Sequence, residues 1–258
     1  MLYIANCYRQ GLAASTTRTH LSALSFTFQL SGYNDITQHF WVKKQLQGYS
    51  KVKPANDSRL PITPHILSKI VYALPHTTSS AFTSILLHAM YVLAYSAFLR
   101  VGEITKTGKS KQHYLLRKHL NFIDEPLTGH FIELIIPHFK HSTSPTTLHI
   151  QSNTKNPMLC PYLTCRKYAS FRGYQSPDEP LFSFMDSTPV SRQFFTDNLR
   201  LGLAFCGLDL QLYKAHSFRI GAASMAAASG SSDIQIQNMG RWKSTAYKKY
   251  IRIPVVHL

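Results

Sequence analysis

A histidine and an arginine lie three residues apart in the segment KAHSFRIGAASMAAASG, residues 214–230. On a helix, His216 and Arg219 would share one face, because residues three apart are neighbours there. Histidine exchanges protons near neutral pH, and arginine binds oxyanions through paired N–H donors. Such pairs are also common on solvated surfaces. The interpretation of this pair therefore depends on what accompanies it in the sequence.

Two further segments carry chemically capable side chains. The segment NMGRWKSTAYKKYIR, residues 238–252, places Trp242 just after a glycine break and Tyr250 eight residues further on. The segment YSAFLRVGEIT, residues 95–105, contains Arg100 and Glu103 at a predicted helix junction. The residues named in the three segments supply a phenol, an imidazole, an indole and two guanidinium groups.

In order and spacing, these segments resemble the boxes of the tyrosine recombinase, or phage-integrase, superfamily. The matching residues are Arg100 and Glu103 in the first box, Lys140 in a β-hairpin, His216-Ser-Phe-Arg219 in the second box, Gly240-Arg241-Trp242, and Tyr250. The resemblance spans about residues 60–252. The sequence GRWKSTAYKKYIR is most similar to that of recombinases of eukaryotic mobile elements, namely DIRS-type retroelements and Crypton-type transposons.

The resemblance implies a DNA strand transferase in which Tyr250 forms a 3′-phosphotyrosyl intermediate that a DNA hydroxyl later displaces. Arg100 and Arg219 would clamp the non-bridging oxygens of the pentacoordinate transition state with planar, bidentate donors. Arginine stays protonated at any relevant pH, so these side chains supply the positive charge. The expected activity therefore requires neither a metal ion nor a small-molecule cofactor.

The same resemblance assigns the remaining roles. His216 would assist proton transfer at the tyrosine and donate to the phosphate. Lys140, at the end of a predicted strand, would protonate the leaving 5′ oxygen as general acid. Trp242 would donate its indole N–H to a phosphate oxygen and pack the site. Glu103 is expected to be structural, bracing nearby backbone or basic groups.

Two tyrosines compete for the role of nucleophile. Tyr247 and Tyr250 follow Trp242 by five and eight residues, and the family spacing from its His/Trp position is about nine. The Ile251-Arg252 pair after Tyr250 also resembles the context of the family's nucleophile. The sequence therefore favours Tyr250, with a local geometry that differs by one residue.

The charge of the chain favours a polyanionic partner. The 258 residues include 28 Lys and Arg but 12 Asp and Glu, which gives a formal charge of +16. Double-stranded DNA is the expected partner, and an acidic membrane surface is the second possibility. No charge-free apolar run of about 18 residues predicts a membrane span, and no signal peptide is recognised, so a secreted protein is not expected.

The pattern of apolar residues predicts a mainly α protein with a small antiparallel β-sheet. Helices are predicted at residues 15–30, 36–48, from 64, 77–98, 160–171, 191–205 and, in pieces broken at glycines, from 214 onward. Strands are predicted at residues 130–137 and 146–151. The resemblance implies a tyrosine-recombinase catalytic domain at 64–258, a linker at 51–63 and an abbreviated helical core-binding domain at 1–50.

Two other sets of residues have ordinary explanations. The segment from Gly102 to Ser110 has five residues between its glycines and no preceding strand, so it does not predict a phosphate-binding loop. Cys160 and Cys165 lack close companions for a zinc site. Four cysteines in this length do not form a disulfide scaffold.

The expected function is site-specific DNA recombination by a homotetramer, for integration or excision of a mobile element, in the nucleus if the host is eukaryotic. One alternative is a catalytically silent or truncated DNA-binding remnant. Another is a monomer that nicks and reseals DNA in the manner of a type IB topoisomerase. The oligomeric state on DNA separates the last alternative from recombination.

Overall fold

The computed structural model describes residues 1–53, 57–108, 114–126, 129–138 and 144–252. The chain divides into two compact units, Met1–Ser58 and Arg59–Leu258. No helix in these ranges is both long enough and apolar enough to cross a membrane. Each unit has its own core and is described separately.

The described residues of the first unit form the α-helices α1 at Leu2–Arg9, α2 at Ala14–Leu30 and α3 at Phe40–Val52. Its small core is formed by Ile4, Cys7, Ala14 and Tyr49. Helices α2 and α3 correspond to predicted helices, whereas the sequence pattern does not predict α1. No side chain caps the first turn of α1, so the sequence there lacks the usual start signal of a helix.

The second unit contains the other helices and the sheet. Its helices are α4 at Pro64–Thr77, α5 at Ala81–Ser96, α6 at Val101–Ile104, α7 at Pro161–Arg172, α8 at Arg192–Phe205, α9 at Ser217–Ala228 and α10 at Asp233–Gly240. Helix α5 begins four residues later than the helix predicted at residues 77–98. The reason is that α4 continues through Thr77 and the Ser80 side chain caps α5 by accepting from the Thr83 N–H at 3.1 Å.

A three-stranded antiparallel sheet lies in the same unit. Strands β1, β2 and β3 span Leu120–Glu125, Gly129–Ile136 and Thr146–Gln151, in the spatial order β1-β2-β3. The two predicted strands correspond to β2 and β3. Strand β1 is not predicted from the sequence because its segment, LNFIDE, is short and half polar. The mainly α class with a small antiparallel sheet is confirmed.

Helix α5 forms the centre of the core. Its residues from Leu86 to Ala94, except His88, are buried. The ring of Tyr91 packs edge-on against Phe195 of α8, with 5.0 Å between ring centroids. Helix α9 also packs against α5 and approaches the backbone of Ile62, whose N–H donates to the Ser217 carbonyl at 3.0 Å. This packing fixes α9, which carries Arg219, relative to the C-terminal end of α5.

We predict that Gly221→Ala severely destabilises the second unit. A Cβ atom at Gly221 would lie 1.9 Å from the Ile62 carbonyl oxygen, so helix α9 or the backbone of Ile62 would have to move. Such overpacking costs about 1–3 kcal/mol or more. Urea unfolding measures the decrease in stability. In the control Gly48→Ala, on an open helix face, no decrease is expected. Equal unfolding midpoints for the two variants would contradict the close approach.

Candidate active site

The first part of the site is the corner that follows α5. Phe98 has a left-handed backbone, with φ of 51°, which turns the chain sharply before α6. Arg100 then begins α6, and its backbone N–H donates to the Glu103 side chain at 2.8 Å. The Arg100 guanidinium also donates to the second carboxylate oxygen at 3.2 Å. Glu103 thus holds Arg100 through both backbone and side chain.

Arg219 connects three parts of the unit from the first turn of α9. Its side chain is fully buried. One terminal nitrogen donates to the Phe98 carbonyl and the other to the Gly240 carbonyl. The guanidinium carbon lies 4.1 Å from the ring centre of Trp242, in a cation–π arrangement. Arg219 therefore joins the corner after α5 to the segment that follows α10.

A third arginine, Arg241, completes this cluster. It donates to the Glu103 carboxylate at 2.8 Å and to the Ala97 carbonyl at 3.3 Å. The sequence motifs do not single it out as a site residue. A signal is nevertheless present, since Arg241 directly follows Gly240 and precedes Tyr250 by nine residues. That is the spacing expected for the family's His/Trp position.

The aromatic side chains lie against this cluster. The ring of Tyr250 is 4.9 Å from the Trp242 ring and 4.9 Å from the His216 ring, between centroids. It is also 5.7 Å from the Arg219 guanidinium carbon. Tyr250 ends the 3₁₀ segment Thr245–Tyr250. The structure thus places a half-buried phenol beside an imidazole and a guanidinium.

Ser224 of α9 anchors the segment that carries this phenol. Its hydroxyl donates to the Tyr250 carbonyl at 3.3 Å and accepts from the Arg252 N–H at 2.8 Å. These bonds fix the backbone on both sides of Tyr250. Helix α9 therefore positions both Arg219 and the tyrosine, which are distant in sequence but adjacent in space.

The structure brings together five of the six residues singled out in the sequence. They are Arg100, His216, Arg219, Trp242 and Tyr250. The sixth, Lys140, lies outside the described residues. Glu103 accepts hydrogen bonds from two arginines and one backbone N–H, which is the bracing geometry expected of it.

Positive charge accumulates in this cluster beyond what its carboxylate neutralises. Among the described residues, three guanidinium groups and the Glu103 carboxylate give 3 − 1 = +2. Burial, and then the charges of Arg100 and Arg241, lower the pKa of Arg219 to about 9. Arg219 stays protonated at neutral pH, so the lowered pKa expresses an electrostatic cost that a bound anion would offset. Its buried Nε has no hydrogen-bond partner in the part of the chain that the structure describes.

The second tyrosine is engaged elsewhere. Tyr247 is buried, and a hydrogen bond to the Asp233 carboxylate, followed by burial, raises its pKa to about 12. A phenol that donates to a carboxylate is a poor nucleophile, because losing its proton would leave two negative charges in contact. Tyr250 has a different setting, in contact with Arg219 and His216.

A cationic groove opens beside His216. Its volume is about 780 Å³. The basic residues that line it are Arg59, Lys106, Arg192, Lys214 and His216. None of its lining residues within the described ranges is acidic. The groove could bind the phosphates of a nucleic acid strand that passes the Tyr250 hydroxyl.

Solved structures of tyrosine recombinases have a similar fold. The Tn1549 transposon integrase in complex with transposon right end DNA has 12% identity and a TM-score of 0.62, covering 97% of this chain and 78% of that chain. A lambda integrase dimer bound to a COC′ core site has 15% identity and a TM-score of 0.57, and the match covers 96% of this chain and 62% of that chain. XerH site-specific recombinase bound to difH substrate has 13% identity and a TM-score of 0.55, and the match covers 83% of this chain and 60% of that chain.

These likenesses show the fold. The fold of this chain is that of tyrosine recombinases, as the sequence motifs predicted. The chain spans about 60% of the length of the XerH and lambda integrase chains that it matches. No family model and no curated protein matches its sequence.

We predict that inorganic phosphate stabilises the protein more than chloride does at equal ionic strength. An anion at the cluster would offset its excess positive charge. A stabilisation of about 1 kcal/mol would raise the melting temperature by roughly 2–4 °C in a protein of this size. Thermal unfolding of wild type and of Arg100→Met measures the effect. The phosphate-specific increment should disappear in Arg100→Met and persist in Arg200→Met, a control on the exposed face of α8. An increment that Arg100→Met retains would place the anion elsewhere.

Proposed function

We propose that this chain cleaves and rejoins DNA strands through a 3′-phosphotyrosyl intermediate on Tyr250. The observation that carries the proposal is a cluster of three guanidinium groups, two of them buried, and one carboxylate, in which Arg219 contacts the ring of Tyr250. Such a cluster lowers the free energy of a transition state whose non-bridging oxygens gain negative charge. The likeness of the fold to DNA-bound recombinases supports the same conclusion.

The proposed reaction conserves the phosphodiester. The Tyr250 oxygen attacks the phosphorus, the bond to the 5′ oxygen breaks, and the tyrosine proton is lost to a base. The 5′ oxygen leaves as a hydroxyl after it gains a proton. Rejoining reverses these steps, because a 5′ hydroxyl attacks the phosphotyrosine and releases the phenol. Neither water nor an external energy source takes part.

The two family-type arginines would act differently on the phosphate. The side chain of Arg100 is 27% exposed, so its guanidinium can reach an incoming phosphate directly. Arg219 is fully buried and two of its five N–H donors already bind carbonyls, so it would act on the phosphate mainly through its charge. Both contributions are larger in this buried setting than they would be in water.

The aromatic residues would control the phenol. His216, whose ring is 4.9 Å from that of Tyr250, would assist proton transfer at the phenol. Trp242 packs between Arg219 and Tyr250 and would donate its N–H to a phosphate oxygen. Lys140 would protonate the leaving 5′ oxygen, a role that follows from the sequence resemblance.

The substrate is double-stranded DNA, and the formal charge of +16 supports this choice. The groove beside His216 would follow one strand of the duplex at the scissile phosphate. We further propose that four copies assemble on two duplexes, and that the reaction integrates or excises a mobile element, in the nucleus if the host is eukaryotic. These finer proposals rest on the sequence resemblance.

We predict that wild-type protein relaxes supercoiled plasmid in EDTA and forms a covalent protein–DNA adduct, visible on a denaturing gel. Tyr250→Phe should abolish both activities, because the attacking oxygen is missing. The matched control is Tyr247→Phe, which should retain the adduct because the Tyr247 hydroxyl donates to Asp233. Adducts in Tyr250→Phe would move the nucleophile to another residue. Salt-sensitive DNA binding without any adduct would favour the DNA-binding remnant.

We also predict that Lys106→Gln and Arg192→Gln each weaken DNA binding to a similar extent for duplexes of any sequence. Both residues line the groove, so each substitution removes one cation that would pair with a DNA phosphate. The slope of log affinity against log salt concentration should fall by about 1 for each such substitution. Fluorescence anisotropy with duplex DNA over a salt series measures this slope. Arg200→Gln removes the same charge outside the groove, and slopes that are equal in all three variants would exclude the groove as the DNA path.

A further inference from the structure

Two arginines from distant parts of the chain share the carboxylate of Glu103. One oxygen accepts from the Arg100 guanidinium at 3.2 Å. The other accepts from the Arg100 backbone N–H and from the Arg241 guanidinium, each at 2.8 Å. Glu103 and Arg241 are 138 residues apart in sequence. The carboxylate therefore ties the segment after α10 to the short helix α6.

Arg241 has an uncommon backbone conformation that this contact helps to hold. Arg241 occupies the C-cap of α10 in the left-handed conformation, with φ of 56°, which is uncommon for a residue with a side chain. Such a conformation persists where the surrounding contacts determine it. Here the contacts are the bonds from Arg241 to Glu103 and to the Ala97 carbonyl.

Exposure separates the roles of the two arginines. The Arg241 side chain is 1% exposed, whereas that of Arg100 is 27% exposed. Arg241 directs both of its terminal nitrogens to protein oxygens. A phosphate arriving from solvent therefore meets Arg100, and Arg241 is connected to Arg100 by the carboxylate that both arginines bind.

Sharing the carboxylate also changes how Arg100 is held. Because Arg241 and a backbone N–H satisfy one oxygen of Glu103, the Arg100 guanidinium binds the other oxygen, through one terminal nitrogen. A guanidinium has five N–H donors, so this contact leaves donors for a phosphate. Without Arg241, the carboxylate would bind Arg100 with both oxygens and draw it away from the substrate.

We propose that Arg241 is a positioning residue for Arg100, acting through Glu103 to keep the Arg100 guanidinium available to the scissile phosphate. This inference rests on the proposed function of the site. It gives a function to a residue at the variable position of the Gly240-Arg241-Trp242 element, to which the sequence resemblance assigns no role. It also makes the segment that carries Tyr250 part of the support for Arg100.

The first experiment is a double-substitution cycle on the rate of adduct formation. Wild type, Arg100→Met, Arg241→Met and the double variant are compared in single turnovers on plasmid DNA at saturating protein, so that binding does not limit the rate. Arg100→Met should slow the reaction by about 10²–10³-fold, as does removal of an oxyanion donor. Arg241→Met should slow it by roughly 10–100-fold, as does removal of a residue that orients a catalytic group.

Non-additivity is the expected signature. If Arg241 acts through Arg100, the double variant should be no more than about threefold slower than Arg100→Met, because Arg241 then has no target left to position. A merely structural role would multiply the two effects. Arg241→Lys should recover part of the rate, since a lysine retains the charge that pairs with Glu103. Multiplied effects, or a wild-type rate in Arg241→Met, would overturn the proposal.

A second measurement does not depend on activity. Hydrogen–deuterium exchange should quicken in Arg241→Met both at residues 97–104 and at residues 238–250, because the tie between them is cut. Arg200→Met, with an equal change on an exposed helix face, should leave both segments unchanged. Unchanged exchange at residues 97–104 in Arg241→Met would refute the proposal. If wild type forms no adduct, the proposed function fails, and this measurement still decides whether Arg241 holds the Arg100 corner.

Discussion

The carboxylate of Glu103 is the interaction on which the arrangement of the site depends. Within the described part of the chain, it is the one negative charge in a cluster with three guanidinium groups, and it binds two of them directly. Buried charges are tolerated when they are paired and hydrogen-bonded, and Glu103 supplies that pairing for Arg241 and Arg100. Removing the carboxylate would leave mutually repelling cations and would free α6 from the segment after α10.

The third guanidinium is stabilised differently. Arg219 is held by two backbone carbonyls and by the face of Trp242 rather than by a carboxylate among the described residues. This arrangement has a cost, expressed in the lowered pKa of Arg219, and it keeps a charge where water is excluded. In the empty site the excess positive charges repel one another. The same charges attract a phosphate that gains negative charge in the transition state. The same imbalance thus opposes stability and favours the proposed chemistry.

The fold makes this imbalance possible. Helix α5 forms the centre of a large core, and its C-terminal end delivers the Phe98 carbonyl and Arg100 to one place. Helix α9 packs against α5 and brings Arg219 and Ser224 to the same place. The cationic groove beside His216 is lined by the start of α8 and by the segment that leads into α9. Rigid helices therefore hold the charged groups, while a short 3₁₀ segment carries the phenol.

The fold class and five residues that the structure brings together could be predicted from the sequence. This was possible because the boxes around Arg100, His216-to-Arg219 and Trp242-to-Tyr250 are local patterns, and helix caps such as Thr63 and Ser191 are local as well. The contact of Arg241 with Glu103 could not be predicted, because the two residues are 138 positions apart in the sequence. The same holds for the engagement of Tyr247 with Asp233 and for the depth at which Arg219 is buried. Pairing across such separations depends on how helices pack, which no local pattern records.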